Sequence, residues 1–291
     1  MKIIDCTTYY SEDLMLDIRF NILNEFVDKF IIVESKFSHS GKPKPLNFDI
    51  NKFQKFKDKI EYLIIENEPE GIVKNIENSS EIKRKNSLLR IEQSYNFIMN
   101  ALNDVNENDL VCLSDNDEIP NFNSKYFKNS NKDIFIFKQL FFYYKLNLLY
   151  DLIPWYGSKA AKKKNLVSMS WLRNLKNKKY PFWRIDTLFS MIKYQNIFLI
   201  KNGGWHFSYM KTAKNIEKKL TSYLHHREYD LEPLGENKIQ NMINSRKPVY
   251  DLRVDMKKSK FEGGDELVVS GIDELPNYIK NNLDKYKDWL D

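Results

Sequence analysis

Three carboxylates directly follow an apolar stretch of the chain and are its clearest candidates for chemistry. Residues 110–113 are apolar and lead into Asp115, Asp117 and Glu118, and Pro120 prevents a simple continuation of a strand. Two acids at positions i and i+2 of a turn can face one hard divalent cation, which prefers oxygen ligands. Such an ion can absorb the charge of a departing diphosphate. The alternative interpretation is a polar turn with solvated acids.

A second candidate group lies at residues 203–209 and begins with two glycines. Gly203 and Gly204 would let the backbone approach a ligand closely, and Trp205 offers an apolar face for stacking. His206 is a suitable metal ligand or phosphate partner, since imidazole binds several divalent metals. The alternative for a single histidine after a strand is a hydrogen-bonded core residue.

A third candidate is the polar stretch 34–46, which combines Glu34, three lysines including Lys42, and two prolines. It follows an apolar run, so it is predicted to lie at the carboxyl end of a strand, where open α/β sheets bind ligands. A rigid polar loop there could hold a nucleoside. A surface crossover without a ligand is the alternative.

The elements that must position these groups can be predicted from apolar periodicity. Short apolar runs predict strands at residues 2–6, 29–34, 60–65 and 110–114. Apolar residues at helical spacing predict helices at residues 13–26, 51–59 and 80–102. Residues 133–144 predict two strands or one bent strand, and residues 197–200 predict another. The C-terminal third is predicted to be helical at residues 212–224, 235–244 and 276–290. The alternation indicates an α/β fold with a central, mixed but mostly parallel sheet flanked by helices.

Composition limits the class of protein. The 291 residues include 42% hydrophobic and 14% aromatic residues, enough for a sizeable core in a single domain, 1–291. The net charge of +6 suits an anionic ligand such as a nucleotide diphosphate and does not argue for nucleic acid. With only Cys6 and Cys112, a disulfide framework is not expected. No apolar run approaches the roughly 20 residues of a membrane span, and the first residues lack a signal peptide, so we expect a cytoplasmic protein.

The order and spacing of these segments resemble glycosyltransferase family 17. The similarity covers nearly the whole chain and rests on several motifs, although Lys85 separates Arg84 from Asn86 where the family has an adjacent Arg-Asn pair. The matching segments are residues 4–5, 16–19, 28–35, 40–46, 81–86, 114–120 and 204–206.

The resemblance implies a GT-A type nucleotide-sugar-binding fold and an inverting transfer of N-acetylglucosamine. It implies UDP-N-acetylglucosamine as donor, Mn²⁺ or Mg²⁺ as cofactor, and a glycan acceptor such as a surface or capsular polysaccharide, a glycolipid or a glycoprotein. Residues 1–120 would then form a nucleotide-binding half, 121–210 an acceptor and metal half, and 211–291 a helical C-terminal extension.

Roles for individual residues follow from combining the motifs with this chemistry. Asp117 is expected to be the main metal ligand, with Asp115 directed to the ribose or a metal-bound water. His206 is expected at the metal or the diphosphate. The remaining donor-binding candidates are Glu34, Lys42, Arg84 and Trp205.

Inversion requires a general base for the acceptor hydroxyl. Asp186 is the first candidate because it lies between the metal loop and the glycine pair in the sequence, and Glu118 is the second. Trp155, Tyr156 and Trp183 could form an acceptor platform, since the C–H faces of sugars pack on aromatic rings, whereas core packing is the alternative.

Two other functions fit part of the pattern. A phosphatase of the haloacid dehalogenase type also has Asp-x-Asp after a strand, but normally near the N-terminus and followed by Thr or Val. Here Glu118 follows Asp117. A non-catalytic protein that binds glycans or nucleotide sugars on a degenerate transferase fold is the other alternative, and the presence of Asp115, Asp117 and His206 argues against it.

Overall fold

A computed structural model describes residues 1–73, 80–122, 127, 130–194, 196–221, 233–250, 252–253 and 264–291. Within these residues an 11-stranded sheet is flanked by helices, which confirms the predicted α/β class with a large central sheet.

The strands vary from two to ten residues in length. In chain order they are β1 Ile3–Thr8, β2 Lys29–Ser35, β3 Ile60–Ile65, β4 Leu110–Ser114, β5 Glu118–Pro120, β6 Ile134–Tyr143, β7 Leu148–Leu149, β8 Trp155–Lys162, β9 Ile197–Ile200, β10 Gly204–Ser208 and β11 Val268–Val269.

The helices are of two kinds. The α-helices are α1 Asp13–Leu23, α2 Ser80–Asn96, α3 Met169–Asn174, α4 Ala213–Leu220, α5 Glu236–Asn244 and α6 Asn277–Lys280. The 3₁₀ helices are Ile50–Lys59, Phe97–Ala101, Lys163–Asn165, Ile185–Thr187, Ile272–Glu274 and Leu283–Trp289.

The N-terminal part of the sheet is parallel, in the order β3-β2-β1-β4. Its inner strands β1, β2 and β4 are almost entirely buried, as expected for parallel strands covered by helices on both faces. Parallel strands bring their carboxyl ends to one edge, so the segments after β1, β2 and β4 meet there. This is the edge that the sequence predicts for the ligand.

The later strands make the sheet mixed rather than mostly parallel. β8 runs antiparallel to both β4 and β6, and five of the ten strand pairs are antiparallel. The long strand β6 has a register shift between Ile136 and Lys138, which confirms a single bent strand. The first half of β6 pairs with β9, and the second half pairs with β10.

Several predicted bounds are confirmed and others need correction. The strands at 60–65, 110–114 and 197–200 have the predicted bounds. The helix predicted at 80–102 continues only to Asn96 and then tightens into a 3₁₀ helix, and the one predicted at 276–290 is divided into α6 and a 3₁₀ helix. The prediction at 212–224 extends beyond the described residues after 221. Among the described residues, no helix has both the length and the apolar character needed to span a bilayer.

Candidate functional site

A cleft of about 340 Å³ lies at the carboxyl edge of β1, β2 and β4. Its walls come from the start, the middle and the C-terminal third of the chain, so distant segments converge on one site. The polar and aromatic residues that line it include Tyr10, Glu12, His39, Lys44, Tyr95, Asp115, Asn116, Asp117, Trp155, Arg173, His206, Lys219 and Tyr250.

Asp117 lies in the cleft between two basic side chains. β10 fixes its backbone, because the Phe207 amide donates to the Asp117 carbonyl oxygen at 2.8 Å. Asp117 Oδ1 is 3.6 Å from His206 Nε2, and Oδ2 is 3.6 Å from Lys219 Nζ. Burial alone would raise the pKa of Asp117, but Lys219 and His206 outweigh it and lower the pKa below its ordinary value. The carboxylate is therefore ionised at neutral pH.

His206 is held against two aromatic rings. The centroid of its ring lies 4.4 Å from that of Phe141 and 4.5 Å from that of Trp155, with interplanar angles of 23° and 24°. Nε2 faces Asp117, and buried Nδ1 has no hydrogen-bond partner among the described residues. Two aromatic rings thus fix the orientation of an imidazole in the wall of the cleft. Trp155 is the predicted platform residue that reaches this wall.

Asp115 is bound by two side chains from different helices. Tyr95 of α2 donates to Oδ1 at 2.6 Å, and Arg173 of α3 donates to Oδ2 at 3.1 Å. The Arg173 guanidinium also lies over the Tyr95 ring, 4.8 Å from its centroid. These contacts fix the orientation of the Asp115 carboxylate.

Asn116 is buried between the two aspartates and lines the cleft. No described residue bonds to either Nδ2 or Oδ1 of its side-chain amide. An unsatisfied buried amide costs free energy, which makes it a group that a ligand would satisfy. No individual role was predicted for Asn116 because asparagine is ordinary in a turn.

A buried ion pair supports the loop from below. Arg19 of α1 donates to both carboxylate oxygens of Asp5 on β1, at 2.7 and 2.5 Å, and both side chains are fully buried. Its third bond, of 2.6 Å, goes to the carbonyl oxygen of Glu118. Arg19 therefore connects the first strand and helix to the segment that carries the acids.

The side chain of Glu118 lies beneath the cleft rather than in its lining. Oε2 accepts from the Asp115 amide at 3.0 Å, and Oε1 accepts from Trp155 Nε1 at 3.0 Å. Burial and the nearby Asp115 carboxylate raise the pKa of Glu118. Its contacts orient the loop and the Trp155 ring.

Asp186 lies outside the residues that line the cleft. Arg184 bonds to both of its carboxylate oxygens at 2.7 and 2.9 Å, and Lys193 bonds to Oδ2 at 2.7 Å. These hydrogen bonds lower the pKa of Asp186. In this structure its contacts are with a surface loop.

The stretch 34–46 contributes to the cleft through different residues from those predicted. Glu34 is fully buried, and its carboxylate accepts from Tyr62 at 2.8 Å, from Lys44 and from backbone amides at 47 and 48. It orders the loop from inside. Lys42 is exposed, whereas Lys44 and His39 line the cleft.

Arg84 and Trp205 also lie away from the cleft lining. Arg84 is exposed on α2. Trp205 points to the face of β10 opposite His206, because side chains alternate along a strand, and it donates to the Glu274 carbonyl oxygen at 2.7 Å.

The glycine pair allows strands, rather than a ligand, to approach closely. A Cβ on Gly204, whose φ is +114°, would overlap the Ile119 carbonyl oxygen of β5. A Cβ on Gly203 would lie 2.7 Å from the backbone of β6 at Lys138. The two glycines thus permit the strand pairing that places His206 next to Asp117.

One pair of side chains matches the needs of a divalent cation. In the described part of the chain, no three His, Cys, Asp or Glu side chains gather closely enough to hold a metal. Asp117 Oδ1 and His206 Nε2 are 3.6 Å apart, near the roughly 3–3.5 Å that separates two ligands of a small divalent ion. Two protein ligands suffice where substrate phosphates occupy other positions. The donor set therefore fits a cation that binds together with a diphosphate.

The sequence did not single out three residues that complete the cleft. Arg173 and Lys219 lie on the short helices α3 and α4, whose polar residues are typical of surface helices. Tyr95 belongs to the apolar face of α2. The amphipathic spacing of α4 was the available signal for Lys219, but it did not indicate which way the lysine would point.

Comparison with solved structures gives only weak similarity. HddC from Yersinia pseudotuberculosis has a TM-score of 0.31 at 13% identity, over 69% of this chain and 91% of that one. The inositol-1-phosphate CTP transferase from T. maritima has a TM-score of 0.34 at 12% identity, over 82% and 96%. Values this low do not establish a shared fold, so the GT-A type stays a prediction. No curated protein matches the chain.

Comparison with protein families is decisive. The sequence model described as Glycosyltransferase family 17 matches residues 1–290, which include every segment around the cleft. The match extends over practically the whole chain, and the protein therefore belongs to glycosyltransferase family 17.

Proposed function

We propose that this protein transfers N-acetylglucosamine from UDP-N-acetylglucosamine to a hydroxyl group of a glycan acceptor, with inversion at the anomeric carbon. Membership of family 17 assigns a glycosyl transfer role. The observation that carries the finer proposal is the Asp117 carboxylate, held between His206 and Lys219 at the carboxyl edge of the sheet.

The cleft offers complementary groups for a nucleoside diphosphate. Lys219 and Lys44 supply positive charge for the phosphates, and the side-chain amide of Asn116, which no described residue satisfies, supplies a donor. Asp117 and His206 would hold Mn²⁺ or Mg²⁺. When bound, such an ion neutralises charge on the departing diphosphate. Tyr10 and His39 provide flat faces at the cleft wall, suited to the uracil ring.

In the proposed reaction the acceptor oxygen attacks the anomeric carbon on the face opposite the diphosphate. The bond from that carbon to the phosphate oxygen breaks, and UDP leaves with the electron pair. A carboxylate takes the acceptor proton, which requires hydrogen-bond reach of the acceptor hydroxyl. Asp186 and Glu118 lie outside the cleft lining, so we propose Glu12 and Asp115, which line it, as candidates for the base.

A thermal-shift panel tests the donor and the metal together. A ligand that binds only the native state at a hundredfold excess over its Kd stabilises it by about 2.7 kcal/mol. We expect UDP and UDP-N-acetylglucosamine to raise the Tm in the presence of Mn²⁺, and GDP- and CMP-sugars to leave it unchanged. Stabilisation by UDP that is the same in EDTA would contradict the metal site, and stabilisation only by GDP- or CMP-sugars would contradict the donor.

Release of UDP from the donor distinguishes an enzyme from a binding protein. We expect slow Mn²⁺-dependent hydrolysis of UDP-N-acetylglucosamine in the absence of acceptor. Tight UDP binding without any such hydrolysis would favour a non-catalytic protein. Hydrolysis of p-nitrophenyl phosphate would instead indicate a phosphatase.

A further inference from the structure

The most exposed apolar side chains of the described chain lie together in one short segment. Phe182 and Phe189 are each 86% exposed and Leu188 is 77% exposed. Trp183, Ile185 and Met191 are at least 66% exposed, more than any other large apolar residue described. These six residues lie within ten positions of the chain, and such a concentration of exposed apolar side chains marks an interaction site rather than chance exposure.

This segment is part of a defined loop, residues 176–193, which we name the basic aromatic loop. The Lys176 amide donates to the Ile192 carbonyl oxygen at 2.9 Å and closes the loop at its base. Trp171 Nε1 donates to the Met191 carbonyl oxygen at 2.6 Å. Inside the loop, Asp186 bonds to Arg184 and Lys193. The exposed rings therefore project from a closed, hydrogen-bonded base.

The loop is also strongly basic. Residues 176–193 contain five Lys and Arg residues and one acid, Asp186, which pairs with Arg184 and Lys193. Lys176, Lys178 and Lys179 are exposed. The exposed apolar side chains are thus preceded in the same loop by three exposed lysines, a combination that suits an anionic surface with an apolar interior.

We propose that the basic aromatic loop docks on a bilayer that contains anionic phospholipids. Tryptophan and phenylalanine side chains insert at the level of the headgroups, while lysines bind the lipid phosphates. A protein partner would suit the composition less well, because lysine is depleted in protein–protein interfaces. Binding of this kind places the protein on the membrane surface without a membrane-spanning helix.

The loop is connected directly to the cleft. Lys159 donates to the carbonyl oxygens of Arg173 and Leu175 at 2.6 Å and fixes the chain just before the loop. The side chain of Arg173 bonds to Asp115 in the cleft. A docked bilayer would therefore lie beside the cleft and present lipid-borne acceptors to it. This last point rests on the proposed function, whereas membrane binding itself does not.

Vesicle co-sedimentation tests the proposal on the full chain without any assay of activity. We expect the protein to sediment with vesicles of phosphatidylcholine mixed with phosphatidylglycerol, and not with phosphatidylcholine alone. The Phe182→Ser/Phe189→Ser and Lys178→Glu/Lys179→Glu variants should each lower the partition coefficient about tenfold or more. About 1 M salt should release the native protein, since the Debye length is then roughly 3 Å.

Matched variants elsewhere on the surface serve as controls. Leu88→Ser removes an exposed apolar side chain on α2, and Lys55→Glu/Lys57→Glu reverses two exposed lysines of a 3₁₀ helix. Both should sediment like the native protein, and all variants should unfold at the native Tm because the substituted side chains are exposed.

Three results would overturn the proposal. The first is equal binding to neutral and anionic vesicles, and the second is loop variants that bind as well as the native protein. The third is a concentration-dependent dimer in sedimentation velocity that the Phe182→Ser/Phe189→Ser variant abolishes, without vesicle binding by the native protein. The third result would assign the loop to contact with another copy of this chain.

Discussion

Arg19 Nη1 donates a hydrogen bond of 2.6 Å to the carbonyl oxygen of Glu118, so a side chain of the first helix determines the path of the loop that carries the acids. The same guanidinium is paired with Asp5, and both groups are fully buried. The position of the cleft acids thus depends on an ion pair that does not touch the cleft.

The Arg19→Met variant should be strongly destabilised, because it leaves the Asp5 carboxylate buried without its partner. The expected loss in free energy of unfolding is about 3–5 kcal/mol, measured by urea denaturation. The double variant Asp5→Leu/Arg19→Met should regain part of this loss, since no charge is then buried alone. A double variant no more stable than Arg19→Met would contradict the assignment. Arg184→Met, at the exposed pair with Asp186, should leave the unfolding midpoint unchanged.

The Asp117→Asn variant should lose about a hundredfold or more in kcat/KM for UDP release, because the amide cannot hold the cation beside the diphosphate. Its fold should persist, since the substitution is isosteric. Asp186→Asn is the matched control, and its activity should remain within about twofold of native because Asp186 lies outside the cleft lining. Full activity of Asp117→Asn in EDTA would exclude the proposed metal site.

Gly204→Ala should destabilise the protein by about 2 kcal/mol or more, because a Cβ would overlap the Ile119 carbonyl oxygen at a backbone φ of +114°. Since β10 carries His206, Mn²⁺-dependent UDP binding should weaken as well. Gly271→Ala provides the comparison, because nothing lies within 4 Å of its Cβ position and its φ is −66°. Its urea midpoint should equal or slightly exceed the native value. Equal urea midpoints for the Gly204→Ala and Gly271→Ala variants would contradict this prediction, because they would show that β5 and β10 can move apart without a loss of stability.

Lys159 should make stability depend on pH in the alkaline range. Burial lowers the pKa of Lys159 to about 8, whereas the unfolded chain keeps the ordinary value of 10.5. Between these values the unfolded state binds more protons, so the contribution of Lys159 to stability rises with pH. The difference in free energy of unfolding between native protein and Lys159→Met should increase from pH 8 to pH 10, by at most about 3 kcal/mol. A difference that falls or stays level over this interval would refute the shift.

The elements predicted best from the sequence are those whose signal is a short apolar run. The strands at 60–65 and 110–114 have the predicted bounds because each is a short apolar run between polar segments. The C-terminal helices were less predictable, since the break between α6 and the last 3₁₀ helix depends on the non-helical backbone of Asn282. The Asn282 amide bonds to the Ile279 carbonyl oxygen in the 3₁₀ pattern, which leaves no compositional signal.

The site was predictable where motifs placed residues on the same sheet edge. Asp117 and His206, distant in the sequence, lie 3.6 Å apart. That Trp205 faces away follows from the alternation of side chains along β10 and could have been predicted once its strand was assigned. Lys219 and Arg173 could not, because their place in the cleft depends on how α4 and α3 pack, which is a long-range property.

The pairing of β4 with β8 has a consequence for synthesis of the chain. β8 covers the outer edge of β4 from Leu110 to Leu113, but it comes about 40 residues later, at Trp155–Lys162. While a ribosome is still making the intervening segment, the nascent parallel sheet ends in an open hydrogen-bonding edge. Premature termination between these strands would therefore release a fragment prone to aggregation. The acids of the loop could acquire their final setting only after Lys219 has emerged, because Lys219 lies 3.6 Å from Asp117.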